Sequence, residues 1–87
     1  MLDLVIVLKI KEAVVLRLKK ICSERNYTLY KISTLSGVSY KSVYSLERSD
    51  RKDMSLSLLK KIVDGLDMTM SEFFNDEIFN ETELEIE

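Results

Sequence analysis

Three observations predict an all-α fold. The chain has 87 residues with no proline and only two glycines, its apolar residues recur at helical spacing through most of its length, and serine or threonine precedes the later apolar runs as a cap would. With 46% apolar and 32% charged residues it lies far from disordered or fibrous compositions, and its length allows one hydrophobic core. We expect a compact five-helix domain, with short strands at the two ends as optional additions.

Residues 2–10 alternate. Leu2, Leu4, Ile6, Leu8 and Ile10 share one parity, and β-branched residues fill much of the other, so the period favours a strand. A short apolar run of this kind also fits an N-terminal extension of the next helix. From Glu12 the spacing becomes helical, with Val14, Leu18, Ile21, Cys22 and Arg25 on one stripe and Arg17, Lys19, Lys20 and Glu24 elsewhere, ending near Asn26. Cys22 falls on the apolar stripe and reads as a small packed side chain.

Thr28 is placed to cap a second helix carrying Leu29, Ile32, Ser33 and Leu35, which Gly37 would stop in a left-handed conformation. Ser39 then caps a third helix over 39–47, with Val43 and Leu46 inward. Two short helices joined by so tight a turn must form an angled pair. Arg48 to Asp53 contains nothing to bury and reads as an exposed loop. Ser55 caps a fourth helix with Leu56, Leu59, Ile62, Val63 and Leu66 on one stripe, and Gly65 stands near its end. Ser71 is the expected cap of a last turn containing Phe73 and Phe74. Residues 82–87 alternate again and fit an edge strand or an acidic tail. Three regions result: an apolar segment over 1–11, a helical domain over 12–75 and an acidic terminus over 76–87.

Charge is segregated. All 13 basic residues lie in residues 1–61 against six acids, a local balance of +7, whereas residues 62–87 carry nine acids and no base. A net charge of −2 therefore does not exclude an anionic partner. The absence of histidine removes the usual residue for proton transfer near neutral pH and a common metal ligand. With one cysteine there is no internal disulfide and no zinc motif, which fits a reducing, cytoplasmic compartment. No nucleophile with a base, phosphate loop or metal cluster is evident, so neither an enzyme nor a cofactor is expected. The apolar run near the start is too short to span a bilayer and has no basic leader, so no membrane association is expected.

The residues from Thr28 to Glu47 follow a definite pattern: Thr28, three residues, Ile32-Ser33, three residues, Gly37-Val38-Ser39, three residues, Val43, two residues, Leu46-Glu47. This resembles the helix-turn-helix of the phage-repressor (Cro/CI, xenobiotic-response-element) family, and Asp64-Gly65-Leu66 followed by Met70-Ser71-Glu72-Phe73-Phe74 resembles the ending of its small members. The likeness covers residues 12–75. It departs at Ser33, where alanine is usual, at Arg48-Ser49, where Asn-Gly usually turns the chain, and at Met54, where proline is common.

A duplex major groove admits one helix, which must present polar side chains outward while its other face is locked to the domain. With Val43 and Leu46 inward, the third helix turns Tyr40, Lys41, Tyr44 and Ser45 outward, and the resemblance implies base contacts at Tyr40, Lys41 and Ser45 with Tyr44 beside them. Lys41 suits guanine O6 and N7, Ser45 several base edges, and the Tyr40 ring a thymine methyl. For the two tyrosines, surface packing or a subunit contact is the competing reading. Phosphate contacts are expected from the start of the second helix, at Thr28, Leu29, Tyr30 and Lys31, from Ser39 and Ser42, and from Arg48, Arg51 and Lys52 in the following loop.

The resemblance implies a sequence-specific, double-stranded DNA-binding transcriptional regulator, a repressor, working as a homodimer on an inverted-repeat operator. It points to the fourth and fifth helices for dimerisation, with Leu58, Met68, Met70, Phe74, Ile78 and Phe79 as candidate contacts; an ordinary core role fits Met70 and one phenylalanine equally well. No small-molecule effector domain is expected. An antitoxin or adaptor that uses the same fold to hold another protein is the alternative. The one-sided terminal segments are expected to pair as strands, within or between subunits, bringing Lys9 and Lys11 toward Glu83 or Glu85.

Overall fold

The computed structural model describes residues 7–48, 54–80 and 83–85. In chain order these form β1 (Val7–Lys9), α1 (Ile10–Arg25), α2 (Leu29–Ser36), α3 (Tyr40–Arg48), α4 (Leu56–Gly65), α5 (Met70–Phe74), α6 (Glu77–Asn80) and β2 (Glu83–Glu85). The all-α expectation holds, with a sixth short helix after the five and a three-residue strand at each end of the described chain.

One core joins the helices. Val14, Leu18 and Ile21 of α1 meet Ile32 of α2, Val43 and Leu46 of α3, Leu59, Ile62 and Val63 of α4, and Leu66 and Phe73 beyond it. These are the apolar positions that the helical periodicity selects, and burying them is what holds elements this short in shape. Each cap closes a boundary. Thr28 Oγ1 accepts from the Lys31 amide at 3.1 Å, Ser39 Oγ from the Ser42 amide at 3.2 Å and Ser55 Oγ from the Leu58 amide at 3.2 Å. Gly37 ends α2 at φ +71°, in the left-handed region where a glycine meets no steric cost.

Several expectations change. Thr69, and not Ser71, caps α5: its hydroxyl accepts from the Glu72 amide while the Glu72 carboxylate accepts from the Thr69 amide. The Thr-x-x-Glu spacing makes this reciprocal box available two residues before the lone serine. Leu56 is 75% exposed; as the first residue of α4 it lies beyond the end of the stripe that its spacing suggested. Leu35 is also exposed, while Ser33 is buried in the place where alanine is usual and donates to the Tyr30 carbonyl at 2.7 Å.

Arg17 is the largest change. It stands among the solvent-facing positions of the first helix by pattern, yet it is buried, donating from Nε to the Phe73 carbonyl at 2.7 Å and from Nη2 to the Glu72 carbonyl at 3.1 Å, with Nη1 3.2 Å from Asp76. The last carbonyls of a helix lack intrahelical donors, and a guanidinium supplies a planar fork that fits them. Arg25 does the same at the end of α4, donating to the Leu66 carbonyl at 2.6 Å. Two arginines of α1 thereby hold the C-terminal helices.

The termini pair within one chain. β1 runs parallel to β2 with Val7 opposite Glu83, Leu8 opposite Leu84 and Lys9 opposite Glu85, and β2 lies against α1 and α6. The strand and helix readings of the N-terminal run each hold in part, because Ile10 and Lys11 already belong to α1. Residues 1–6, 49–53, 81–82 and 86–87, including Leu2, Leu4, Ile6, Arg51 and Lys52 of the expectations above, lie outside the described residues.

Candidate nucleic-acid interface

The turn from Gly37 to Ser39 sets α3 against α2, and Val43 and Leu46, both buried, lock its inner face to the core. Tyr40, Lys41, Tyr44 and Ser45 lie on the outer face and are all exposed. The structure therefore brings the four candidate base-contacting residues together on the exposed face of one helix. Ser45 Oγ donates to the Ser42 carbonyl at 3.0 Å, which leaves its lone pairs outward to accept from a base amino group.

Around this face stand the candidate phosphate donors. At the start of α2, the Thr28 hydroxyl and carbonyl accept from the amides of Lys31 and Ile32. The amides of Leu29 and Tyr30 come too early for any carbonyl of their own helix and point outward. Lys31 is exposed beside them. Ser39 Oγ donates to Ser42 Oγ at 2.9 Å, so these two hydroxyls form one small polar unit at the start of α3. Arg48 closes the far end. Its guanidinium lies over the Tyr44 ring, 4.8 Å from the centroid, a cation–π contact that fixes the charge near the end of the helix. Arg51 and Lys52 lie outside the described residues.

Behind the face, Lys19 Nζ lies 2.6 Å from Glu47 Oε1 and ties α1 to α3. The hydrogen bond from Lys19 holds the Glu47 carboxyl below its ordinary range, with the Lys19 charge adding to the effect. A cavity of about 220 Å³ lies in the same region, bounded by side chains of α1, α2 and α3 that include Cys22. Burial pushes the Cys22 thiol up, so it is a poor nucleophile near neutral pH and a packing residue, as its stripe position suggested.

Tyr30 has a role that the pattern did not reveal. Beyond the backbone or hydroxyl donor expected of it at the start of α2, its 69% exposed side chain meets the Tyr40 ring at 6.3 Å between centroids, and Tyr40 meets Tyr44 at 5.8 Å. Part of this was open to a reader of the sequence: Tyr40, Tyr44 and Arg48 follow i, i+4, i+8 and must share a face. The contact from Tyr30 depends on the angle between two helices, which spacing alone does not supply.

The candidate dimer residues are partly buried. Leu58, Met68, Met70, Phe74 and Phe79 pack in part against the core of their own chain. Phe73, Phe74 and Phe79 form an aromatic cluster, with Phe74 and Phe79 at 4.9 Å. Ile78 is half-buried.

A short helix capped at Ser39, locked from behind and polar in front, set at an angle to the helix before it, defines a helix-turn-helix domain. The family model for the Cro/C1-type helix-turn-helix DNA-binding domain matches residues 17–77, and the chain belongs to that family. No curated protein and no solved structure matches it significantly. Among the described residues no helix is long and apolar enough to cross a membrane.

Proposed function

We propose that this chain is a sequence-specific regulator of transcription that represses by seating α3 in the major groove of an inverted-repeat operator as a homodimer. The observation that carries the reading is the outward presentation of Tyr40, Lys41, Tyr44 and Ser45 on a helix whose opposite face is buried. Lys41 and Ser45 make hydrogen bonds to base edges. The amides of Leu29 and Tyr30, the hydroxyls of Thr28, Ser39 and Ser42, and the charges of Lys31, Arg48, Arg51 and Lys52 hold the phosphates on either side.

One helix spans only a few base pairs and discriminates weakly against bulk DNA, which favours two subunits on two half-sites. The exposed part of the surface formed by α4, α5 and α6 is the proposed contact: Leu56, which is 75% exposed, together with the outer parts of Leu58, Met68, Met70, Phe74, Ile78 and Phe79. A subunit contact there leaves α3 free.

Selection of duplexes from a random pool tests the reading. The expected product is a palindromic site, bound with an affinity that falls steeply as salt rises. Lys41→Ala should relax preference at one base position of each half-site. Uniformly weaker binding with unchanged preference would move Lys41 to the phosphates, and failure to enrich any duplex would overturn the proposal.

A further inference from the structure

The recognition face carries more aromatic surface than a polar groove-reading helix requires. Tyr30, Tyr40 and Tyr44 are 69%, 46% and 40% exposed, and they touch in sequence, tilted at 51° and 35° to one another, with the Arg48 guanidinium against the outer end of the row. Tyr40, between Tyr30 and Tyr44, and Tyr44, between Tyr40 and Arg48, lose rotamer freedom before any partner arrives, so the row, braced at its α2 end by Tyr30, is a preformed apolar ridge. It crosses from α2 onto α3 and runs along one flank of that helix beside Lys41 and Ser45.

We infer that this ridge reads the 5-methyl groups of thymines, making thymine at defined operator positions a specificity determinant separate from the hydrogen bonds of Lys41 and Ser45. The inference rests on the duplex-binding reading above and names what that face selects. In the major groove the base edges present donors and acceptors, and the one apolar group among them is the thymine methyl. A row of ring edges gains from that group and gains nothing from cytosine, guanine or adenine at the same place. Tyr40 and Tyr44, on α3, make the contacts. They stand one helical turn apart with their centroids separated by 5.8 Å, more than the roughly 3.4 Å rise of one base step, so the two rings address different base pairs. Tyr30 is a positioning residue that braces Tyr40 from α2, and Arg48 holds Tyr44 from the other end.

The test is a selection run in parallel on two random duplex pools, one amplified with thymidine triphosphate and one with deoxyuridine triphosphate, which differ only in the methyl group. Fixed thymines should be enriched in the first pool, and uracil should not be enriched at the same positions in the second. Exchanging each such thymine for deoxyuridine in the recovered duplex should weaken binding about fourfold per methyl, the ordinary value of one buried carbon. Tyr40→Ala should bring the thymine-to-uracil ratio at one position to one and leave the salt dependence unchanged. Tyr30→Ala should lower the same ratio and Tyr30→Phe restore it, which loss of fold would not do.

A salt-dependent, sequence-selective duplex bound equally well with either base would overturn the inference and leave the regulator reading standing. So would a Tyr40→Ala protein that keeps its thymine preference, or one that changes oligomeric state in sedimentation with the ratio intact, which would assign the ridge to a protein contact. No duplex enriched from either pool would remove both.

Discussion

Two glycines play opposite parts at the residue scale. A Cβ added to Gly65 would lie 2.7 Å from the Ser36 Cα and 2.8 Å from the Leu35 carbonyl carbon, all backbone, so the end of α4 touches the end of α2 with no room for a side chain. At Gly37 nothing lies within 4 Å and only the positive φ restricts replacement. Gly65→Ala should therefore destabilise by at least about 1–3 kcal/mol through overpacking that rotamers cannot relieve. Gly37→Ala should cost about 1–2 kcal/mol, and Gly37→Asn less. Urea titrations of the three variants check the order. Of the two positions, only Gly37 could be explained from sequence, because a cap is a local property and a close approach between helices is not.

Arg17 shows the same limit for charge. Periodicity sorts residues by polarity and sends an arginine to solvent, but it cannot see that two helix ends arrive beside α1 with carbonyls in need of donors. The three acceptors, two carbonyls and the Asp76 carboxylate, match a planar fork and not a point charge. Arg17→Lys should lower stability by about 1–3 kcal/mol despite keeping the charge, since the buried Phe73 carbonyl loses its partner. A denaturation midpoint within error of the parent would refute this account.

Among the elements, α6 depends on the carboxylate immediately before it. Asp76 accepts from the Ile78 amide at 3.0 Å, from Lys20 at 2.9 Å and from Arg17 at 3.2 Å. The amide bond, then the Lys20 bond and charge, hold its carboxyl below the ordinary range. Because the folded pKa lies below the unfolded one, the stabilisation is complete above the unfolded value near ~3.9 and disappears as pH falls through the folded value. Asp76→Asn should be less stable than the parent at pH 7, and the difference should shrink as acid is added through this window. Thermal melts of both proteins between pH 7 and pH 2 measure it. The helices themselves were largely legible: the caps at Thr28, Ser39 and Ser55, the stop at Gly37 and the inward pair Val43 and Leu46 are all local signals. The Thr69 box is a local signal too, since its Thr-x-x-Glu spacing competes with Ser71 for the cap.

For the whole molecule, the count of 13 basic residues in residues 1–61 overstates the cations that a duplex would meet. Arg17 and Arg25 are committed to helix ends, Lys19 to Glu47 and Lys20 to Asp76. The proposed phosphate set then holds four cations per subunit: Lys31, Arg48, Arg51 and Lys52. The logarithm of the binding constant should fall against the logarithm of salt concentration with a slope of about −4 per subunit. Lys41→Ala should leave that slope in place, and a slope approaching the full local charge would show that the internal pairs open on binding.

The strands β1 and β2 join segments from opposite ends of the described chain, with the entire helical body as the connection between them. Contacts between such distant residues carry the largest loop-closure penalty and form late when local structure can assemble without them. The clasp should therefore act as a kinetic lock: Leu84→Pro should leave the refolding rate nearly unchanged while accelerating unfolding. Stopped-flow chevrons would show this as a shift in the unfolding arm alone, so that the time a folded molecule survives is set by a pairing that contributes little to how fast it forms.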